Sequence, residues 1–249
     1  FYTEIIVDST DFIDNAADLI VGKGGAISIG VNSTWPTTSE ITNSTFTGNE
    51  AFHGGALLLL HNSEGNLQNN TYQSNNSILG TVAFESTIAT ISQETLTDNI
   101  SQFGGGYYIY SGTTTATDII LDSNIALSGM NSSGNPIGGY GGSLYMGEIL
   151  STDTPSQSSW NNINITNSEA ELGGGAFISG GTHDFLNATI SSNTATEWGG
   201  GFYVGDLFQD TGFASSAVVN LTDSLVQNNF AQRAGAALVH LQASMNCIA

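Results

Sequence analysis

The stretch FTGNEAFHGGALLLL, Phe46 to Leu60, contains the pattern on which the rest of the chain is built. An apolar anchor, Phe46, stands before Asn49 and then Ala51, and a glycine pair leads into an apolar run. The same order recurs roughly every 25 residues, a period typical of solenoid proteins. Its successive anchors are Phe12, Phe46, Tyr72, Leu96, Leu121, Ile165, Ile190 and Val226.

The repeat predicts a solenoid made of strands. One repeat of this length cannot bury its own apolar face, so neighbouring repeats must stack on one another. The copies are rich in Thr, Ile, Leu, Val and Tyr in short runs, broken by Gly, Asn and Ser, a composition typical of strands and turns. We therefore predict an all-β fold, a parallel β-helix of about eight three-stranded coils spaced about 4.8 Å apart.

A column of asparagines is expected at one turn of these coils. Asn follows the anchor in every copy but one, in which Ser168 takes its place. Asn tolerates left-handed backbone and bonds to neighbouring backbone groups, so stacked Asn side chains can satisfy amides that a bend leaves unpaired. The predicted buried ladder comprises Asn15, Asn49, Asn75, Asn99, Asn124, Asn193 and Asn229.

The pairing of F-x-x-N with G-G-A-[IL], as in Phe46 to Asn49 and Gly54 to Leu57, resembles the repeat of the chlamydial polymorphic outer membrane proteins and related extracellular repeat proteins. The resemblance covers nearly the whole chain, and its motifs are specific for fold but weak for activity. It implies a right-handed parallel β-helix displayed outside the cell, often in adhesion.

The continuous repeat argues for one elongated domain, 1–249, interrupted by insertions near 31–40, 127–141, 148–159 and 205–216. Insertions in a solenoid project from its side, and any recognition is expected there. The runs after the glycines, such as Leu57 to Leu60, are apolar on both faces of a strand. Either the insertions or a lateral partner should therefore cover this sheet on its outer side.

The charge balance is strongly acidic, with 22 Asp and Glu against two basic residues and a net charge of −20. Nucleic acid and anionic lipid are therefore poor partners, and neutral glycans or multivalent cations are better ones. Solubility of a secreted surface is the simpler explanation of the acidity. No cofactor is predicted: calcium is the metal to consider, but the Gly-rich stretch from Gly138 lacks the Asp of a calcium-binding repeat.

Asn-x-Ser/Thr triplets are the candidate glycosylation sites. Asn75 and Asn99 belong to the predicted buried ladder and should be bare, whereas Asn32 and Asn131 lie in insertions and are the best acceptors. Asn43, Asn69 and Asn187 share one repeat position, as a row of glycans or a second Asn ladder. The full set of predicted acceptors is Asn32, Asn131, Asn43, Asn69, Asn187, Asn164 and Asn220.

Catalysis is not predicted. An enzyme acting on acidic polysaccharides needs clustered carboxylates with an Arg or Lys, but Lys23 and Arg233 stand near opposite ends of the repeat array. The four His residues are not paired with Asp or Glu in any recognised motif. No run reaches the length of a membrane span, and Cys247 is the single cysteine.

Both ends of the repeat array are expected to mediate assembly, because neither shows the polar cap that keeps a solenoid monomeric. The residues expected at these contacts are Tyr2, Ile5, Ile6, Val7, Leu238 and Leu241. Head-to-tail contacts between unlike ends repeat into a filament; alternatively, the segment is part of a longer β-helix whose flanking coils supply the caps. The sequence thus predicts a subunit of an extracellular, glycosylated fibre that binds copies of itself, with a carbohydrate-binding adhesin and a glycan-degrading enzyme as alternatives.

Overall fold

The computed structural model describes residues 3–30, 36–130, 136–147, 156–205, 216–240 and 243–248. Within these ranges the chain forms strands and turns, and no helix. This confirms that the chain is all-β with strands in parallel order, an arrangement compatible with a β-helix.

The strands follow the repeat closely. Up to residue 122 they are β1 (Thr3–Asp8), β2 (Asp11–Ile13), β3 (Ile27–Ile29), β4 (Thr37–Thr42), β5 (Thr45–Thr47), β6 (Glu50–His53), β7 (Leu57–Leu60), β8 (Ser63–Gln68), β9 (Thr71–Gln73), β10 (Asn76–Leu79), β11 (Val82–Ser92), β12 (Thr95–Thr97), β13 (Ile100–Ser101) and β14 (Tyr107–Asp122). They continue with β15 (Ile125–Ala126), β16 (Ser128–Met130), β17 (Pro136–Gly138), β18 (Leu144–Gly147), β19 (Gln157–Thr166), β20 (Glu169–Leu172), β21 (Ala176–Ile178), β22 (Gly181–Leu186), β23 (Thr189–Ser191), β24 (Thr194–Trp198), β25 (Phe202–Val204), β26 (Ala217–Thr222), β27 (Leu225–Gln227), β28 (Ala237–Val239) and β29 (Ser244–Ile248).

Strands pair in parallel with the equivalent strand of the next repeat, so equivalent residues stack. Phe12 pairs with Phe46 and Phe46 with Tyr72. Their rings stack with centroids 4.8 Å apart at both steps. A parallel pairing one repeat on is the outcome expected when each copy buries its apolar face on its neighbours. We refer to each repeat as a layer.

A complete layer contains four strand segments rather than the predicted three, as in β4, β5, β6 and β7. Two tight turns separate the first three segments, at Asn43 with φ 52° and at Gly48 with φ 66°. Asn and Gly are the residues that adopt this left-handed backbone at low cost. The first, second and fourth segments belong to one 21-stranded sheet, and the third forms a separate 6-stranded sheet.

Two ladders of the large sheet differ in length. The first ladder runs β1, β4, β8, β11, β14, β19, β22, β26 and β29, whereas the anchor ladder runs β2, β5, β9, β12, β14, β19, β23 and β27. The long strands β14 and β19 pass through both ladders. The first ladder therefore has one more layer than the anchor ladder.

The predicted insertions are shorter than the sequence suggested. Thr37 to Glu40 belong to β4, and Gln157 to Ser159 belong to β19, because alternating side chains there pack into the core. Within 127–141, β16 and β17 form an antiparallel hairpin. Residues 31–35, 131–135, 148–155 and 206–215 lie outside the described residues.

The apolar core occupies the interior between the ladders and includes the anchors, the central ones fully buried. Two smaller clusters lie on the outer face of the strands that follow the glycines, around Tyr108 and around Tyr203. Leu79 and Phe103 pack on the first cluster, and Tyr140 and Trp198 on the second. These four residues precede the glycine bend, so the bend folds one strand's side chains over the outer face of the next. Among the described residues, these four side chains cover part of the outer apolar face.

Along each ladder, acidic residues alternate with residues that are not acidic. At the paired positions of the described ladders, no Asp or Glu stands opposite another Asp or Glu. Glu40 lies between Ile6 and Asn66, and Asp184 accepts a hydrogen bond from Asn220 Nδ2 at 2.6 Å. Like charges directly opposite one another destabilise a sheet, so this spacing lets a strongly acidic chain stack in register.

Candidate functional site

The structure brings the predicted asparagines into one hydrogen-bonded column, which we call the Asn column. Asn75 shows its geometry: its Oδ1 accepts from both the backbone N–H of Asn49, at 2.9 Å, and Asn49 Nδ2, at 3.0 Å. Its own Nδ2 donates to Asn99 Oδ1 at 3.0 Å and to the carbonyl of the anchor Phe46 at 2.9 Å. Each side-chain amide of this kind thus bonds to the asparagines of the layers before and after it and to the carbonyl of the preceding anchor.

The column is interrupted at Ser168, and a second serine bridges the gap. Asn124 Nδ2 donates to Ser143 Oγ at 3.1 Å, and Ser143 Oγ lies 2.7 Å from Ser168 Oγ. The backbone N–H of Ser168 then donates to Asn193 Oδ1 at 3.0 Å. Ser143 stands where other layers have Gly or Ala, such as Gly175 and Ala56. Sequence reasoning missed Ser143, although its departure from the G-G-A pattern was a visible signal.

The Asn column has different groups at its two ends. At the first layer, Asn15 is exposed and donates from its backbone N–H and Nδ2 to Asn49 Oδ1. Among the described residues, no donor reaches Asn15 Oδ1. At the last layer, Asn229 accepts from Asn193 and donates Nδ2 to the Ile190 carbonyl, whereas its backbone N–H has no acceptor in the described part of the chain. The column therefore presents an acceptor at one end and a donor at the other.

The terminal layers leave apolar side chains only partly covered. Ile5, Val7 and Phe12 pack on the core from the first layer but are less buried than their counterparts in the central layers. At the other end, Val226 and Met245 also pack on the core and are only partly buried. Uncovered core and an unpaired strand edge are the features that favour pairing with another strand.

Two of the other residues expected at the ends lie on outer faces of the terminal strands. Ile6 is 65% exposed and stands opposite Glu40 on the outer face, since neighbouring Ile5 and Val7 point inward. Leu238 packs on the outer cluster around Tyr203. Tyr2 and Leu241 lie outside the described residues.

The candidate glycosylation sites divide by exposure. Asn43, Asn69 and Asn187 are exposed at one turn, each with φ between 52° and 55°. Asn69 Nδ2 donates to Asn43 Oδ1 at 2.8 Å, so the two carboxamides stack in adjacent layers. Asn75 and Asn99 are buried in the Asn column.

The remaining sites are less open. Asn164 and Asn220 are half-buried, and Asn32 and Asn131 lie outside the described residues.

A second, shorter polar column lies at the neighbouring turn, and sequence reasoning did not find it. The backbone N–H of Ser44 donates to Asn70 Oδ1 at 2.9 Å, and Asn70 Nδ2 donates to Glu94 Oε1 at 2.8 Å. In the next layer Ile119 takes the same place and is fully buried. We call this the Glu94 column, because it ends at that residue.

Glu94 is a fully buried carboxyl group in the core. Burial raises its pKa to about 8, although hydrogen bonds from Asn70 partly oppose the shift. The Tyr72 hydroxyl lies beside it, and burial, followed by the nearby Glu94 carboxyl group, raises the pKa of Tyr107 well above its usual value. In the described part of the chain, Glu94 Oε2 and both hydroxyls lack a hydrogen-bond partner. Burial therefore favours the neutral form of the Glu94 carboxyl group in the folded protein.

A buried Ser-His pair also lies in the core. Ser158 Oγ is 2.7 Å from His183 Nδ1, and Trp160 Nε1 donates to the same oxygen at 2.7 Å. His183 Nε2 is 2.8 Å from the Gly180 carbonyl, and burial lowers the pKa of His183 to about 4. His183 is fully buried, so this arrangement stabilises a neutral imidazole in the interior.

A shallow groove of about 290 Å³ crosses the outer side of β14, β19 and β22. Its polar side chains come from three adjacent layers of the first ladder. The exposed ones belong to Thr113, Thr115, Gln157, Ser159, Thr182 and Asp184, and buried Thr114 and Ser158 lie between them.

Aromatic side chains form a stack on the outer face. Tyr145 stacks on Tyr108 and on Phe177, with ring centroids 5.1 Å and 5.5 Å apart, and Phe177 stacks on Tyr203 at 4.9 Å. Tyr203 and Phe177 are at most 2% exposed. Their faces are occupied by one another, so a ligand cannot stack on them without separating the rings.

Across the described ranges, no group of three or more His, Cys, Asp or Glu side chains could hold a metal ion. Among the same residues, no helix is long and apolar enough to cross a membrane. A scan of protein-family models and searches of curated proteins and solved structures find no match to this chain.

Proposed function

We propose that the chain is a right-handed parallel β-helix that serves as a structural subunit of an extracellular, glycosylated fibre and assembles end to end with copies of itself. One observation carries the proposal: among the described residues, the Asn column leaves an acceptor on Asn15 and a backbone donor on Asn229 without partners. Unlike, complementary ends favour head-to-tail contact, and head-to-tail contact repeats into a filament.

The partly covered core at both ends supports the same contact. Stacking the last layer of one copy on the first layer of the next would bury Val226 against Phe12. Each such contact removes apolar surface from water, at about 25 cal/mol per Å². The resemblance of the repeat implies the right hand, and the general preference of parallel crossover connections for that hand supports it.

The extracellular location rests on the resemblance of the repeat, the acidic composition and the Asn-x-Ser/Thr triplets. Peptide mapping of the native protein should find glycans on exposed Asn43 or Asn69 and none on Asn75 or Asn99. Adjacent layers lie about 4.8 Å apart, so two glycans at Asn43 and Asn69 on one molecule would be crowded. Glycan on Asn75 or Asn99 would contradict the buried Asn column.

Sedimentation velocity and electron microscopy over a concentration series test the assembly. We expect filaments that lengthen by roughly 40 Å per subunit, the height of eight layers. Asn15→Ala removes the terminal acceptor and should weaken assembly, whereas Asn66→Ala, at an exposed position of β8, serves as the control. A stable monomer at all concentrations, with both ends open to water, would overturn the proposal.

A carbohydrate-binding adhesin is the second candidate, and the polar groove supports it. Its hydroxyl, amide and carboxylate groups suit a neutral polyhydroxylated ligand, and the buried aromatic stack would not provide the stacking surface. Binding of neutral oligosaccharides that is lost in Asp184→Ala, with assembly unchanged, would favour this candidate. A glycan-degrading enzyme, the third expectation, draws no support from the Ser158–His183 pair because that pair is buried.

A further inference from the structure

Three buried polar side chains lie in two adjacent central layers of the core. Glu94 and Tyr107 belong to one layer, and Tyr72 belongs to the layer before it. All three are fully buried. Glu94 Oε1 accepts from Asn70 Nδ2 at 2.8 Å, but Glu94 Oε2 and the two hydroxyls have no hydrogen-bond partner among the described residues. A buried polar group without a partner is destabilising, so three of them together point to a shared partner.

The three groups are close enough to influence one another, and we call them the tyrosine–glutamate cluster. Burial raises the pKa of Tyr72 well above its usual value, and the Glu94 carboxyl group and then Tyr107 raise it further. The pKa of Tyr107 is raised first by burial and then by Glu94. The polar ends of these side chains therefore lie in one region of the core.

The two hydroxyl groups occur only beside Glu94. Tyr72 stands in the column of anchors, and every other anchor is Phe, Leu, Ile or Val. Tyr107 stands in the column of the strands after the glycines, whose other described members are Ile27, Leu57, Val82, Leu144, Ala176, Phe202 and Ala237. Both tyrosines thus coincide with the only fully buried carboxyl group of the described residues, which indicates a polar site.

Packing holds both tyrosine rings in place. The Tyr72 ring is stacked on Phe46, with centroids 4.8 Å apart. The Tyr107 ring packs against Phe84 and Trp160, with its centroid 6.0 Å from each. The hydroxyls are therefore presented to the interior in fixed positions, as a preformed binding site requires.

The cluster matches a water molecule in size and in chemistry. Leu96 and Leu144 follow Tyr72 and Tyr107 in their columns and are shorter, so the next side chain of each column does not cover the hydroxyl. A protonated carboxyl group and two phenol groups offer O–H donors and oxygen acceptors. Water can donate and accept with all of them, whereas a cation would favour an ionised Glu94, which burial opposes.

We propose that the tyrosine–glutamate cluster is a binding site for one internal water molecule, which links Glu94 Oε2 to the hydroxyls of Tyr72 and Tyr107. Buried waters with two to four polar partners are an integral part of protein structures. This water supplies the partner that the next layer does not offer, because Ile119 is apolar there. The site lies within one copy, so its failure would leave end-to-end assembly untouched.

A crystal structure that resolves ordered solvent tests the site directly. We expect one solvent peak within about 3.0 Å of Glu94 Oε2 and of both hydroxyl oxygens. The peak should be missing in Tyr72→Phe/Tyr107→Phe and retained in the control Tyr110→Phe, which alters a partly buried tyrosine of the outer cluster. An unoccupied site, a bound cation, or a direct hydrogen bond between Tyr72 and Glu94 in place of the water would overturn the proposal.

Urea denaturation at low protein concentration gives an independent test in solution. If water links the hydroxyls, Tyr72→Phe and Tyr107→Phe should each lower the folding equilibrium constant about fivefold. Their effects should not multiply in the double variant, because both hydroxyls share one partner. If the hydroxyls are unpaired, each substitution removes a destabilising group and raises the constant. A rise in either variant, or strictly independent effects, would overturn the water site.

Discussion

Two polar columns run through neighbouring turns of this protein, and they differ in length and in chemistry. The Asn column spans every layer from Asn15 to Asn229, with serines bridging one interruption. The Glu94 column extends only from Ser44 to Glu94 and is followed by buried Ile119. Both columns provide hydrogen-bond partners for backbone groups at a bend. The Asn column continues through every layer, whereas the Glu94 column stops at Glu94.

The difference follows from what each side chain can donate. A carboxamide both donates and accepts, so one Asn can accept from the layer before and donate to the layer after. A protonated carboxyl group can accept on one oxygen and donate from the other, but Glu94 Oε2 has no hydrogen-bond partner among the described residues. In both columns donation runs from earlier to later layers, so the column ends where the next layer offers an apolar side chain, Ile119, in place of an acceptor. Glu94 stands at the last position of its column.

Interruption of the Asn column should have the largest effect. Asn99→Ala removes four hydrogen bonds, with Asn75 N–H and Nδ2 as donors and with the Tyr72 carbonyl and Asn124 Oδ1 as acceptors. We expect a loss of about 3–4 kcal/mol in the free energy of unfolding, measured by urea denaturation. Asn66→Ala, at an exposed position, should change it by less than about 0.5 kcal/mol.

Asn99→Asp sharpens this test. The carboxylate keeps the acceptor for Asn75 but loses both donors, so a stability at or below that of Asn99→Ala is expected at neutral pH. Equal stability of Asn99→Ala and the unaltered protein would show that the column is not needed for folding.

The Glu94 column should make stability depend on pH. Burial raises the folded pKa of Glu94 from 4.5 to about 8. Between these values the folded state holds a proton that the unfolded state has lost, so the stability present below pH 4.5 falls as pH rises towards 8. Glu94→Gln keeps the shape and the acceptor for Asn70 but cannot ionise.

We expect the unfolding free energy of Glu94→Gln, relative to that of the unaltered protein, to rise by about 3 kcal/mol between pH 5 and pH 8. The opposite dependence from His183, whose lowered pKa of about 4 removes stability as pH falls below 6.5, is shared by both proteins and cancels in the difference. A difference that is constant with pH would show that Glu94 is ionised in the fold.

The serine bridge should have the smallest effect and should show coupling. Ser143→Ala removes the acceptor for Asn124 Nδ2 and should cost about 1 kcal/mol. In the next two layers, where Asn occupies the column, the facing residue is glycine: a Cβ on Gly175 would lie 3.2 Å from Asn193 Nδ2, and one on Gly201 would lie 3.1 Å from Asn229 Nδ2. Ser168→Asn alone should therefore be destabilising, and Ser143→Gly/Ser168→Asn should recover that loss.

A double-mutant cycle measures the recovery. We expect a coupling energy of about 1 kcal/mol between Ser143 and Ser168. Strict additivity of the two substitutions would mean that the bridge does not replace the missing Asn.

Much of the fold was predictable because it depends on local positions repeated at a fixed interval. The anchors, the asparagines and the glycines each define a strand or a turn, and stacking places equivalent residues beside one another. The period therefore predicted both the parallel all-β arrangement and which asparagines meet. The period predicted strand boundaries less well where a repeat is irregular: Thr37 and Gln157 were predicted to lie in insertions, although each begins a strand.

The sequence by itself determined the period, the parallel stacking and the membership of the Asn column, since these require only equivalent positions in successive copies. Only the tertiary structure decided what happens between unlike positions. Burial of Glu94 beside Tyr72, the bridge from Ser143 to Ser168 and the extra layer formed by β29 involve residues from different positions or layers. Their energies depend on desolvation and on which neighbour fills the adjacent space, and neither quantity is visible along the chain.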